Sequence, residues 1–284
     1  MIYDRASKET SAEKVYKDKT TAFLYNTAIG GICLLILRLP VISGIYGVFQ
    51  KISGSKKKIE KFIETYQIDM NGCKNDFRSF NDFIIRKRTS LEFDANPNHL
   101  IAPADSCLLV YTIRDGRIPA IKNKTYTLSK FLKGSRLARE YEGGIFLIFR
   151  LRVYDYHRFC FADSGEIVSR KRIRGFLDSV NSAATGRFAL CSNYREISVL
   201  KTTNFGDTVF AEIGAMLVGR IVQTHKKEVF NRGDEKGCFE FGGSSIVLIL
   251  KKNMVKIDDD ILNYSAKNIE TKVKMGEKIG EKFV

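Results

Sequence analysis

A chain of 284 residues, 44% hydrophobic and 28% charged, is long enough to bury one substantial core, or one core with a small appendage, and it holds no internal repeat or low-complexity tract. Its formal net charge of +15 calls for an anionic partner: nucleic acid, an acidic ligand or a membrane surface. Six cysteines, Cys33, Cys73, Cys107, Cys160, Cys191 and Cys238, form no CxxC pair, which excludes zinc-finger spacing and points to free thiols in a reducing compartment.

Residues 1 to about 70 read as helical. Ala22 to Leu37 (AFLYNTAIGGICLLIL) is an uncharged run, followed by Arg38, Leu39 and Pro40 and by a second apolar stretch, Val41 to Phe49. A spanning helix needs about twenty apolar residues, and Asn26, Gly30 and Gly31 interrupt this run, so it is expected to lie in an interface rather than to cross it. A signal peptide is a poor fit, because Glu9, Glu13 and Asp18 dilute the positive start. After a break at Ser53 to Ser55, Lys56 to Gln67 sets Ile59, Phe62 and Ile63 at helical spacing. The cluster Lys56, Lys57 and Lys58 beside the apolar run reads as a contact with anionic lipid. Arg86, Lys87 and Arg88 follow Ile84 and Ile85 as a second contact or as a helix end facing water.

The remainder reads mainly as strands. Alternating or continuous apolar runs place them at Cys107 to Ile113, Ile145 to Val153, Glu196 to Leu200, Thr208 to Ile213, Met216 to Val222 and Ser245 to Leu250, with Gly116, Gly165, Gly206, Gly233 and Gly237 as turns. Thr127 to Leu132 reads as a short helix capped by Thr127. The fold class expected is α+β: a β-rich catalytic domain, residues 71–284, behind an N-terminal helical membrane-association module, residues 1–70.

Three places carry candidate chemistry. In FEFGGSSIVLIL (Phe239 to Leu250), Gly243 precedes Ser244 at the head of an apolar strand; a glycine carbonyl is open to attack and its backbone tolerates strain, although Gly-Gly-Ser-Ser also suits a plain turn. Asp105 lies in LIAPADSCLLVY on a tight turn entering a strand, and His157 lies where the run Ile145 to Val153 breaks and resumes. An aspartate that orients an imidazole beside a serine is the logic of an activated nucleophile; a capping aspartate and a structural histidine are the plain alternative.

Seven segments in order bear on that choice: SFNDFIIRK (Ser79 to Lys87), APADS (Ala102 to Ser106), DYHRFC (Asp155 to Cys160), NYRE (Asn193 to Glu196), FGDTVFAEIGAMLVGRI (Phe205 to Ile221), RGDEKGCFEFGGSS (Arg232 to Ser245) and ETKVKMGEKIG (Glu270 to Gly280). Through them the chain resembles the phosphatidylserine decarboxylases of the prokaryotic type, which are self-cleaving, pyruvoyl-dependent membrane enzymes. The resemblance implies that His157, oriented by Asp105, deprotonates Ser244, whose oxygen attacks the Gly243 carbonyl and converts the amide to an ester. Elimination then releases the upstream chain as a carboxylate and leaves dehydroalanine, which loses ammonia on hydrolysis and becomes a pyruvoyl group.

The products implied are a β chain, residues 1–243, and an α chain, residues 244–284, held together as a heterodimer. The covalent pyruvoyl cofactor made from Ser244 would form a Schiff base with the amine of phosphatidylserine, carbon dioxide would leave, and His157 would protonate the former α carbon to give phosphatidylethanolamine. The family resemblance also implies phospholipid biosynthesis on an anionic membrane surface, with the protein peripheral on the cytoplasmic side of the cell membrane and with no nucleic-acid partner.

The chain departs from the family pattern at Cys160, where many members carry a second histidine. Either His157 serves both reactions, the favoured reading, or Cys160 contributes as a weak donor, or the second histidine is dispensable. Ser245 is a candidate to position the oxyanion through its hydroxyl or backbone N–H, while Tyr154, Tyr156 and Arg158 flank the base and either contact the headgroup or pack. His99 and His225 sit at no ligand spacing, so no metal is expected. A membrane-associated serine hydrolase using the same three residues without self-cleavage is the alternative function, and a basic RNA- or lipid-binding module is a weaker one.

Overall fold

The computed structural model describes residues 1–13, 18–74, 76–121, 124–178, 190–216, 220–240 and 244–283. Gly243 and part of the expected strand Met216 to Val222 lie outside these residues.

A ten-stranded sheet dominates the described residues. Its centre runs Arg195–Thr202, Gly206–Ile213, Ser244–Leu250, Ile145–Leu151 and Ser106–Thr112, each antiparallel to the next. The sequence Ser-Ser-Ile-Val-Leu-Ile-Leu forms the middle strand because its neighbours cover it on both edges and core layers cover both faces, so every one of its residues is buried. A strand enclosed in this way reads as a continuous apolar run rather than an alternating one.

The two faces have different covers. Ile246, Leu248 and Leu250 pack with Phe149, Leu151 and Phe210 on one face, beneath Phe159, Phe161 and Phe239. Those three come from or adjoin a three-stranded sheet of Arg220–Gln223, Glu235–Glu240 and Arg158–Cys160. On the opposite face Val247 and Ile249 pack with Ile148, Val209 and Ala211 under Leu128, Phe131 and Leu132. The fold is therefore mixed and β-rich, with a few helices.

The N-terminal region departs from an all-helical reading. Ile2–Asp4 is a strand that pairs parallel to Glu270–Val273, and Glu9–Ser11 pairs antiparallel to it. Main-chain pairing with a strand more than 260 residues away has no local signal. The apolar run divides at Thr27 into helices Asp18–Asn26 and Ala28–Leu37, and the Thr27 side chain accepts the Gly30 N–H to cap the second. Helix Pro40–Lys51 follows after a 79° bend, and among the described residues no single helix is long and apolar enough to cross a membrane. Lys56–Lys58 end a 3-10 turn, Ser53–Lys58, and the α-helix begins only at Ile59. Helix Ile59–Tyr66 then packs Phe62 edge-on against Phe80 at 5.2 Å, so helices on both sides of position 70 share one apolar cluster.

Two further expectations are corrected. Thr127 does precede helix Leu128–Leu132, but its hydroxyl makes no capping bond. Gly237 lies inside strand Glu235–Glu240 instead of at a turn. It is glycine because a Cβ there would stand 2.4 Å from the Val222 carbonyl oxygen and 2.8 Å from the Phe159 ring, a close approach that only hydrogen allows.

Candidate active site

Ser244 is the first residue of the central strand, fully buried and paired across from Leu151. Side chains alternate along a strand, so Ser244 shares the face of Ile246 and Leu151, the face covered by the three-stranded sheet. His157 is attached to that sheet. Its carbonyl accepts the Phe239 N–H (2.9 Å), on the strand that leads toward residue 243. Strand Glu235–Glu240, bonded to His157, precedes the candidate scissile bond in the chain, and strand Ser244–Leu250 begins opposite Leu151.

A tight turn presents the imidazole. Arg152 N–H donates to the Asp155 carboxylate (2.7 Å), the Arg152 guanidinium pairs with it (2.7 Å), and Asp155 N–H returns to the Arg152 carbonyl (3.0 Å). With this carboxylate occupied, it is the Asp155 carbonyl that receives the ring, accepting from His157 Nδ1–H at 2.9 Å. A carbonyl only accepts, so Nδ1 carries the proton and Nε2 carries the lone pair that a base needs. Burial is the main influence on the ring and pulls its pKa down to about 3; the Asp155 hydrogen bond opposes this, the nearby Arg86 charge adds to it, and Asp105 opposes it. The imidazole is thus neutral near pH 7.

Asp105 sits on the turn before strand Ser106–Thr112, tied to the histidine segment by Cys160 N–H donating to the Pro103 carbonyl (2.9 Å). Its two oxygens accept from the Met275 N–H (2.9 Å) and the Arg88 guanidinium (2.8 Å). Asp105 therefore acts on His157 through its charge, while the Asp155 carbonyl sets the ring's tautomer.

Cys160 is buried with Tyr156 and Met275. Burial drives its thiol far above the ordinary value, so it supplies no thiolate near neutral pH. Ser245 alternates to the opposite face from Ser244, where it pairs across from Arg150, and its buried hydroxyl finds no partner among the described residues. Its hydroxyl therefore lies on the opposite face of the strand from that of Ser244.

The flanking residues separate clearly. Tyr154 stacks on Tyr66 at 4.7 Å, and the Tyr156 hydroxyl accepts the Arg88 N–H. Arg158 is held by Glu235 (2.8 Å) and by the carbonyls of Ile85 and Arg86. These three side chains pack and hold the loop together. Arg86 is buried and Arg88 is paired with Asp105, so of the three basic residues expected at a surface only Lys87 is exposed. The sequence signal available was the position of Arg86 two residues after the fully buried Ile84, near the end of a helix whose apolar face points inward. His99 is taken by Asp94 (3.0 Å) and His225 by the Val229 carbonyl (3.1 Å).

Comparison with known proteins gives consistent matches. A family model described as "Phosphatidylserine decarboxylase" matches residues 80–281. A phosphatidylserine decarboxylase proenzyme 2 of Clostridium acetobutylicum is 48% identical, covering 99% of this chain and 98% of that protein. A phosphatidylserine decarboxylase proenzyme of Ruminiclostridium cellulolyticum is 43% identical over 98% of this chain and 96% of its own, and one from Clostridium botulinum type F is 40% identical over 99% and 98%. None of these names supports the serine-hydrolase alternative. Matched along nearly all its length by proenzymes of one kind, the chain belongs to the phosphatidylserine decarboxylase family.

Proposed function

We propose that this protein converts phosphatidylserine to phosphatidylethanolamine and carbon dioxide after cutting its own backbone between Gly243 and Ser244. The observation that carries this reading is that Ser244, a residue with a β-oxygen, heads the buried central strand, while the buried His157 is bonded to the strand that precedes Ser244 in the chain. These residues fit a pyruvoyl group, since only a residue with a β-heteroatom can be eliminated to one and the imidazole that has to take the serine proton is held neutral. When formed at Ser244, that group supplies the electron sink for loss of the carboxylate.

His157 Nε2 takes the Ser244 hydroxyl proton as the oxygen attacks the Gly243 carbonyl, and returns it to the departing amide nitrogen. Asp105 favours the imidazolium through its charge at that moment. Cutting the chain leaves a carboxylate on Gly243, a new negative charge that raises the His157 pKa. His157 is thereby converted from the base of the first reaction into the proton donor of the second, which is why Cys160 can replace a second histidine.

The helices between Asp18 and Tyr66 are proposed to place the β-rich catalytic part, to which strands Ile2–Asp4 and Glu9–Ser11 also belong, on the cytoplasmic face of an anionic membrane. Ile29, Ile32 and Ile36 lie exposed at helical spacing on one helix, and Val41, Ile45, Val48 and Phe49 on the next. Lys51, at the end of the second helix, pairs with Glu240 (2.9 Å) close to the cleavage segment, and Arg38 pairs with Asp178 (3.0 Å). The exposed face is thus tied directly to the site. Ile32→Asp combined with Val48→Asp is expected to lower co-sedimentation with anionic vesicles by at least about tenfold, and added salt is expected to weaken wild-type binding. Vesicle binding unchanged in the double variant would overturn this part of the reading.

The test of the main reading is the intact mass of the denatured protein beside Ser244→Ala, followed by carbon dioxide release from phosphatidylserine. Two chains parted at Gly243 and a lipid product are the expected result.

A further inference from the structure

Arg86 is buried at 3% exposure, yet no carboxylate pairs with it among the described residues. Its guanidinium lies 5.0 Å from the Phe83 ring centroid and 5.9 Å from that of Tyr156, the residue before His157. One Nη donates a long bond to the Phe83 carbonyl (3.4 Å), and Nε has no hydrogen-bond partner among the described residues. The neighbouring arginines differ: Arg88 pairs with Asp105, Arg152 with Asp155 and Arg158 with Glu235. With three neutral pairs and a neutral imidazole, Arg86 is the one of these four arginines with no carboxylate partner among the described residues, and it is the most deeply buried of them. Burying a guanidinium without an anion is costly, and a ligand that supplies the anion recovers that cost.

The substrate implied by the proposed function has two anionic groups. The carboxylate leaves as neutral carbon dioxide, so a cation bound to it would stabilise the ground state and lose its grip in the transition state. The phosphodiester keeps its charge from substrate to product. Its phosphorus is three bonds from the carbon that loses carbon dioxide, so a phosphate lies close to any residue beside the proton donor. A planar guanidinium with a free Nε matches two phosphate oxygens.

We propose that Arg86 binds the phosphodiester of the lipid headgroup and so distinguishes the phospholipid from free serine. The proposal rests on the decarboxylase reading.

Because the charge it holds does not change during the reaction, Arg86 contributes equally to ground state and transition state. With monomeric short-chain phosphatidylserine, Arg86→Gln is expected to raise KM by about 10- to 100-fold while kcat stays within about threefold. Arg86→Lys, which keeps the charge but loses the fork, is expected to show a smaller rise. Calorimetric titration with short-chain phosphatidylethanolamine should show product affinity falling by the same factor as KM rises, and both variants should mature to two chains, since self-cleavage uses no lipid. An unchanged KM and product affinity, a fall in kcat at constant KM, or loss of self-cleavage in both variants would overturn the proposal; the last two would make Arg86 part of the chemical step or of the fold. If the wild-type protein matures but releases no carbon dioxide from phosphatidylserine, it is the decarboxylase reading that fails.

Discussion

Ser244→Ala is expected to remain a single chain of 32.2 kDa and to release no carbon dioxide, whereas the wild-type chain divides after Gly243. The substitution removes one oxygen from a fully buried position flanked by Leu151 and Ile246, and a methyl group is easily accommodated there, so the strand should still form. Loss of cleavage in a folded protein then reports on the hydroxyl and not on packing. Ser244→Cys keeps a β-heteroatom and a better nucleophile, so it is expected to retain partial cleavage. An Ser244→Ala protein that still divided at residue 243 would mean that the backbone is cut by another nucleophile or a contaminating protease, and would remove the basis for a cofactor made from this serine.

Replacing His157 by Gln is expected to slow self-cleavage by about 10²- to 10⁴-fold, the usual contribution of a positioned general base, as followed by the appearance of the small chain with time. The pH dependence gives an independent check. Because burial holds His157 at about 3, the wild-type cleavage rate should show no break near pH 6.5, where an ordinary histidine titrates. The same shift affects stability. The unfolded chain binds a proton at His157 below about pH 6.5 while the folded chain does not, so the stabilisation is complete above that pH. It is lost at about 1.4 kcal/mol per pH unit as the pH falls toward 3. This component should be missing from the pH dependence of urea unfolding in His157→Gln. A cleavage rate that halves near pH 6.5 would mean that the imidazole titrates as an exposed group, contrary to its burial.

The strands that build the centre of the large sheet were legible in the chain because enclosed strands have to be largely apolar, as Ile246 to Leu250 is throughout and Ile145 to Leu151 is except at Arg150. The turn at Asp105 and the break at His157 were legible too, since proline and polar residues interrupt an apolar pattern there. The strands Gly165–Ile173 and Glu270–Val273 were not, because the first carries charge on its exposed face and lies near the sheet edge and the second is short. Strand Ile2–Asp4 was hidden for another reason: its partner lies at the other end of the chain.

The residue types needed for the chemistry, together with their order, were determined by the sequence alone, because a β-hydroxyl beside a glycine and a single histidine in a strand break are properties of the chain. Electrostatic roles were decided only by the tertiary structure. No spacing rule shows that the Asp155 carbonyl sets the His157 tautomer, that Asp105 is shared between Arg88 and the Met275 N–H, or that Arg86 is buried with no carboxylate partner among the described residues. Those outcomes depend on which charges meet when distant segments pack, and an arginine reads the same in sequence whether it faces water or a buried site.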